Sequence, residues 1–134
     1  MRGLKAFSAG IVLGFAFVVL VHTVPPQPAR QLIALFLALT AGTYVCALLT
    51  QEPFLRLVVL EFAMACAIFG LAVVGLRAST IWLAAGFALH GAWDLLHHPK
   101  AVPTRVVWWF PPGCAAFDFV VALALVIGPW RPLS

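Results

Sequence analysis

The sequence predicts an all-α fold, an integral membrane bundle of five transmembrane helices forming one domain over residues 1–134, and three observations predict it. Hydrophobic residues make up 64% of the chain and charged residues 9%, with a mean hydropathy of +1.09, whereas soluble domains average about 45–50% apolar and roughly 25% charged residues. The apolar residues gather into five stretches, most of them near the length of a membrane span. Each stretch is bounded by prolines, charges or both, which break helices or resist burial in lipid.

The first stretch, residues 5–22, follows Arg2 and Lys5 and stops at the cluster Pro25-Pro26-Gln27-Pro28. Its basic start also resembles a secretory signal, but the run is longer than the usual apolar region. No small-x-small cleavage site precedes the prolines, so an uncleaved span is expected. Gly10 and Gly14 within it would let another helix approach closely. The second stretch, 31–50, turns tightly through Gln51-Glu52-Pro53 into the third, 54–76, which makes the two antiparallel neighbours. Arg77 closes the third. Ser79-Thr80 offer N-caps for the fourth, 80–98, and Pro99 stops it by disfavouring helical geometry in the residue before it. The fifth, 113–127, ends at Gly128-Pro129.

Between the last two stretches, residues 99–112 carry Lys100, Arg105, Trp108, Trp109 and Phe110 among prolines. That composition suits an aromatic anchor along the headgroup boundary, or a lid over whatever the fourth helix presents. A cytoplasmic N-terminus would put Arg2, Lys5, Arg56, Lys100 and Arg105 inside and Arg30, Arg77 and Arg131 outside. The excess of basic residues inside favours N-in, C-out. The net charge of +4 is spread singly over segment ends, which fits membrane anchoring and argues against a nucleic-acid partner. Cys46, Cys66 and Cys114 are an odd number within apolar runs, so no disulfide framework is expected. They read as small buried hydrophobes, with Cys114 a minor candidate thiolate ligand because it precedes Asp118 by one turn.

The chemistry concentrates in His90-Gly91-Ala92-Trp93-Asp94-Leu95-Leu96-His97-His98. On a helix His90, Asp94, His97 and His98 fall at i, i+4, i+7 and i+8, on one face. Alternating spans bring the start of the third stretch, the end of the fourth and the start of the fifth to one side, so Glu61 and Asp118 join the three histidines. Ionisable groups at such depth face a protein-lined or watery cavity and mark functional sites. His22 falls on the opposite side. With the three deep histidines on one helix, bis-histidine haem ligation is not expected, since its ligands come from facing helices.

Two uses fit this cluster. A divalent transition metal, zinc or iron, would be held by His90, Asp94, His97, His98 and Asp118, with Glu61, Asp94 and Asp118 as the catalytic carboxylates. Alternatively, metal-free His–carboxylate pairs would move protons. The competing structural reading pairs each acid with a basic group only to fix helix packing; for Glu61 the partner would be Arg56, one turn away. Trp93 reads as packing.

Together with Phe110-Pro111-Pro112-Gly113-Cys114-Ala115-Ala116-Phe117-Asp118, the His90 to His98 segment resembles a family of small bacterial integral membrane proteins of unknown function. The resemblance covers the last third of the chain and implies a membrane protein of four or five spans in the bacterial inner membrane, with no activity attached. The function expected from the residues is a membrane-embedded, metal-dependent enzyme acting on a lipid or another apolar small molecule. A transporter or proton-conducting subunit is the alternative, and an accessory subunit of a larger complex the third. Five short helices leave little private volume, so a homo-oligomer within the lipid bilayer is a further expectation.

Overall fold

The computed structural model describes residues 1–128 and is all-α. Its helices are α1 (Arg2–His22), α2 (Pro26–Ala41), α3 (Thr43–Leu48), α4 (Leu55–Arg77), α5 (Thr80–His97) and α6 (Phe110–Ile127). The expected stop at Pro129 and the placement of Arg131 lie outside the described residues. α2 and α3 continue one another across Gly42, so the second stretch is an interrupted helix. Three helices begin earlier than the sequence predicted, α1 at Arg2, α2 at Pro26 and α6 at Phe110, the last two with prolines in their first turns. A proline there sacrifices no hydrogen bond, because first-turn N–H groups have no partner within the helix.

Four segments are long and apolar enough to cross a membrane: Arg2–His22, Pro26–Leu48, Leu55–Arg77 and Phe110–Ile127. α5 falls short of that apolarity because it carries His90, Asp94 and His97. Its ends follow the sequence. The Ser79 hydroxyl accepts from the Ile81 amide, and His98, ahead of Pro99, caps the last turn.

α1 and α6 lie parallel and very close. A Cβ added at Gly10 would collide with the Gly113 carbonyl and stand 2.9 Å from the Ala116 Cβ, and one at Gly14 would press on Val120. α5 packs on α6 and α4, and α2 fills the space between α4 and α5. Ile33, Leu37, Ile68, Leu83, Phe87 and Val121 form the main core. Leu13, Phe15, Leu39, Phe69 and Leu123 point outward, so the apolar surface continues around the bundle. A second, smaller core of Tyr44, Leu48, Leu57, Trp93 and Val102 lies at the end where α4 and α6 begin and α5 finishes.

Residues 99–112, expected to form an interfacial anchor or a lid, divide in the structure: 110–112 begin α6, and residues 98–109 form a strap that packs into that smaller core. Trp108 and Trp109 remain half-exposed, yet Val102 and Thr104 are buried. Gln51 clamps this strap, donating to the Arg105 carbonyl at 3.0 Å and accepting from the Arg105 amide at 3.0 Å. The expected burial of all three cysteines also fails, since Cys46 and Cys66 are exposed on outward helix faces.

Candidate functional site

Every deeply buried acid in the described residues sits at the same end of the bundle and faces a histidine. On α5, His90, Asp94 and His97 are buried, as periodicity requires for i, i+4 and i+7. His90 Nδ1 lies 2.6 Å from Asp118 Oδ2 on α6 and 3.4 Å from Asp94 Oδ2. Its Nε2 donates to the Thr40 carbonyl at 3.1 Å, just before the interruption at Gly42. A carbonyl can only accept, so Nε2 carries a hydrogen, and the mobile proton is the one shared by Nδ1 and Asp118. Gly91 leaves room for this approach of α6: a Cβ there would stand 3.2 Å from the Asp118 Cβ, a tight contact.

Asp94 is fully buried. The Tyr44 hydroxyl donates to its Oδ1, while Oδ2 has no hydrogen bond of its own. The ring of Tyr44 stacks on His97 with centroids 3.7 Å apart and planes 12° apart. His97 belongs to a second pair. Its Nδ1 donates to the Trp93 carbonyl at 2.8 Å, and its Nε2 lies 2.8 Å from Glu61 Oε1. The Thr104 hydroxyl donates to the same oxygen, and Trp93 Nε1 donates to Glu61 Oε2 at 3.0 Å. Two His–carboxylate pairs thus lie side by side, with Tyr44 joining them by a hydrogen bond on one side and a ring stack on the other.

His90 and Asp118 also form part of the wall of a cavity of about 900 Å³ between α1, α2, α3 and α6. The rest of that wall is mostly apolar. Phe17, Phe36 and Phe117 meet within it, their centroids 5.0–5.5 Å apart, and Lys5, Trp108 and Trp109 stand at the end nearest the strap. Along α1 the lining runs from Lys5 to Leu20, about 22 Å at the helical rise.

A family model described as a family of unknown function, DUF6010, matches residues 5–130. The chain belongs to that family. The match extends well beyond the last third on which the sequence resemblance rested, so α1 to α4 share in the family pattern. Neither the curated proteins nor the solved structures contain a match to this DUF6010 member.

Of the residues singled out in the sequence, His90, Asp94 and Asp118 come together, with one possible ligand atom from each lying within 4.8 Å of the others. Glu61 and His97 pair with each other instead. His98 departs from the expectation. It is exposed, because the helix ends at His97 and the chain turns away through Pro99 and Lys100, whose φ is 60°. Arg56 is exposed, and Glu61 is held by His97, Trp93 and Thr104 instead. Cys114 lines the cavity without joining the His–Asp–Asp group. His22 lies at the opposite end, its Nδ1 donating to the Val18 carbonyl at 2.7 Å.

Sequence reasoning missed Tyr44 and Thr104. Tyr44 is the chain's single tyrosine, and a lone phenol in an apolar run was the available signal. Trp93, read as packing, is a hydrogen-bond donor to Glu61.

Proposed function

We propose that the protein is a membrane-embedded enzyme that binds a lipid-like molecule in the apolar cavity and acts on it with His90 and Asp118, supported by Asp94. The observation that carries this reading is a buried, proton-sharing His–Asp pair on the wall of an otherwise apolar cavity long enough for a lipid chain. Apolar walls with a few convergent polar groups are the usual composition of a small-molecule site. The bundle crosses the membrane five times in this reading, N-in and C-out, with α5 tolerated because its polar face turns inward.

The donor set also suits a divalent ion. One imidazole and two carboxylates favour zinc or iron, the unbonded Asp94 Oδ2 is a vacant lone-pair position, and the Thr40 carbonyl on Nε2 is the partner a ligating histidine usually has. The 3.4 Å between His90 Nδ1 and Asp94 Oδ2 is near the ~3.4 Å separating two ligands of a tetrahedral zinc. The 2.6 Å to Asp118 is a hydrogen bond that an ion would replace. His90, Asp94 and Asp118 would hold such an ion, which would supply Lewis acidity and an activated water. Without one, His90 and Asp118 pass a proton to or from a group on the substrate.

The enzyme reading is tested by incubating purified protein with a membrane lipid extract and comparing the products by mass spectrometry. A lipid product that forms with the unmodified chain and is absent with Asp118→Asn is the expected result. Asp118-dependent ion flux into proteoliposomes with no lipid product would overturn it. Elemental analysis of the same preparations addresses the ion: near-stoichiometric zinc or iron, lost in His90→Ala, is expected for the metal form. Metal-free but active protein would assign the chemistry to the proton pair.

A further inference from the structure

The strap carries a second cavity that the His–Asp–Asp group does not use. It has a volume of about 330 Å³ and is lined by His98, Lys100, Thr104, Arg105 and Trp108 among others, with no acidic residue in its wall. The ion pairs among the described residues involve only His90 and His97, so Lys100 and Arg105 line this pocket with no carboxylate partner. Its volume equals roughly ten waters at about 30 Å³ each, room for a phosphate and part of its hydration.

Two features hold the backbone of this wall at Thr104 and Arg105. Gln51 bonds both backbone groups of Arg105, and Thr104 is tied to buried Glu61. Trp108 lines both this pocket and the large apolar cavity, so the basic pocket adjoins the end of the cavity where Lys5 and Trp109 stand.

We propose that the strap is the headgroup half of the site: it takes a phosphate group carried on the apolar chain that fills the cavity. This rests on the reading of that cavity as a lipid slot and narrows its substrate class to an anionic, phosphate-bearing amphiphile. Arg and Lys together match such a head, the guanidinium through paired hydrogen bonds and the ammonium as a point charge. Asp118 lies eight residues beyond Phe110, about 12 Å further along α6. With the phosphate held at the strap, His90 and Asp118 face the chain of the substrate, and the phosphate itself stays outside the reaction.

The test is equilibrium binding of tritiated hexadecyl phosphate and tritiated hexadecanol to the purified full chain in maltoside micelles, with unlabelled inorganic phosphate as competitor. Hexadecyl phosphate should bind at least tenfold more tightly than hexadecanol, and inorganic phosphate should compete only weakly. A Lys100→Asn/Arg105→Gln variant should lose that tenfold advantage and bind hexadecanol as before. Asn is chosen because it tolerates positive φ, and Arg105→Gln alone serves if the pair does not fold. Equal binding of the phosphate and the alcohol, with hexadecanol retained, would overturn the headgroup assignment and leave the lipid slot standing. Inorganic phosphate competing on equal terms would make the pocket a site for free phosphate and overturn the lipid assignment. Failure of both amphiphiles to bind would remove the slot and the headgroup site together.

Discussion

Tyr44 is the side chain that links Asp94, beside the His90–Asp118 pair, to the His97–Glu61 pair. Its hydroxyl satisfies Asp94 Oδ1, and its ring lies on His97 at 3.7 Å. Tyr44→Phe keeps the stack and deletes the hydroxyl, leaving a fully buried carboxylate with neither oxygen hydrogen-bonded. An unsatisfied buried acceptor costs about 1–3 kcal/mol, so the variant should melt at a lower temperature than the parent in detergent. Asp94→Asn in the same background should recover part of the loss, because the neutral amide is cheaper to bury than the carboxylate. If Tyr44→Phe melts like the parent and Asn brings no recovery, the hydroxyl does not stabilise Asp94. The residue matters because it orients Asp94 toward His90, and through His90 toward the cavity wall.

At the scale of helices, the close parallel packing of α1 on α6 builds one side of the cavity. Gly10 permits it, and Gly10→Ala would drive a methyl group into the Gly113 carbonyl. Overpacking of this kind typically costs about 1–3 kcal/mol. The expected outcome is a lowered melting temperature together with loss of amphiphile binding, while Gly70→Ala, which meets nothing within 4 Å, should change neither. Such helix-level features were partly readable. The long apolar helices were visible from hydropathy, the Gly10/Gly14 pair from its spacing, and the gathering of Glu61, Asp94 and Asp118 at one end from connectivity alone. The starts of α2 and α6 were misplaced because prolines read as breakers are tolerated in a first turn. Tyr44 and Thr104 were missed because their partners lie 50 and 43 residues away, and periodicity relates only neighbours on one helix. The same limit separates Glu61–His97 from His90–Asp118: sequence places them at one depth, and only packing shows that they form two pairs.

For the whole molecule, charge and chemistry share one end. Arg2, Lys5, Arg56, Lys100 and Arg105 flank the helix ends at the strap side, against Arg30 and Arg77 at the other end of the described chain. Basic residues are retained on the cytoplasmic side of a membrane, so the strap, its basic pocket and the mouth of the cavity should face the cytoplasm. In a background with Cys46, Cys66 and Cys114 replaced by alanine, a single Lys100→Cys should react with an impermeant maleimide only after the cells are permeabilised. Thr23→Cys, in the turn between α1 and α2, should react in intact cells. The reverse pattern would place the strap outside and assign the phosphate-bearing partner to the outer leaflet. It would leave the one-sided grouping of acids and histidines intact, because that grouping follows from the alternation of the helices and from no choice of orientation.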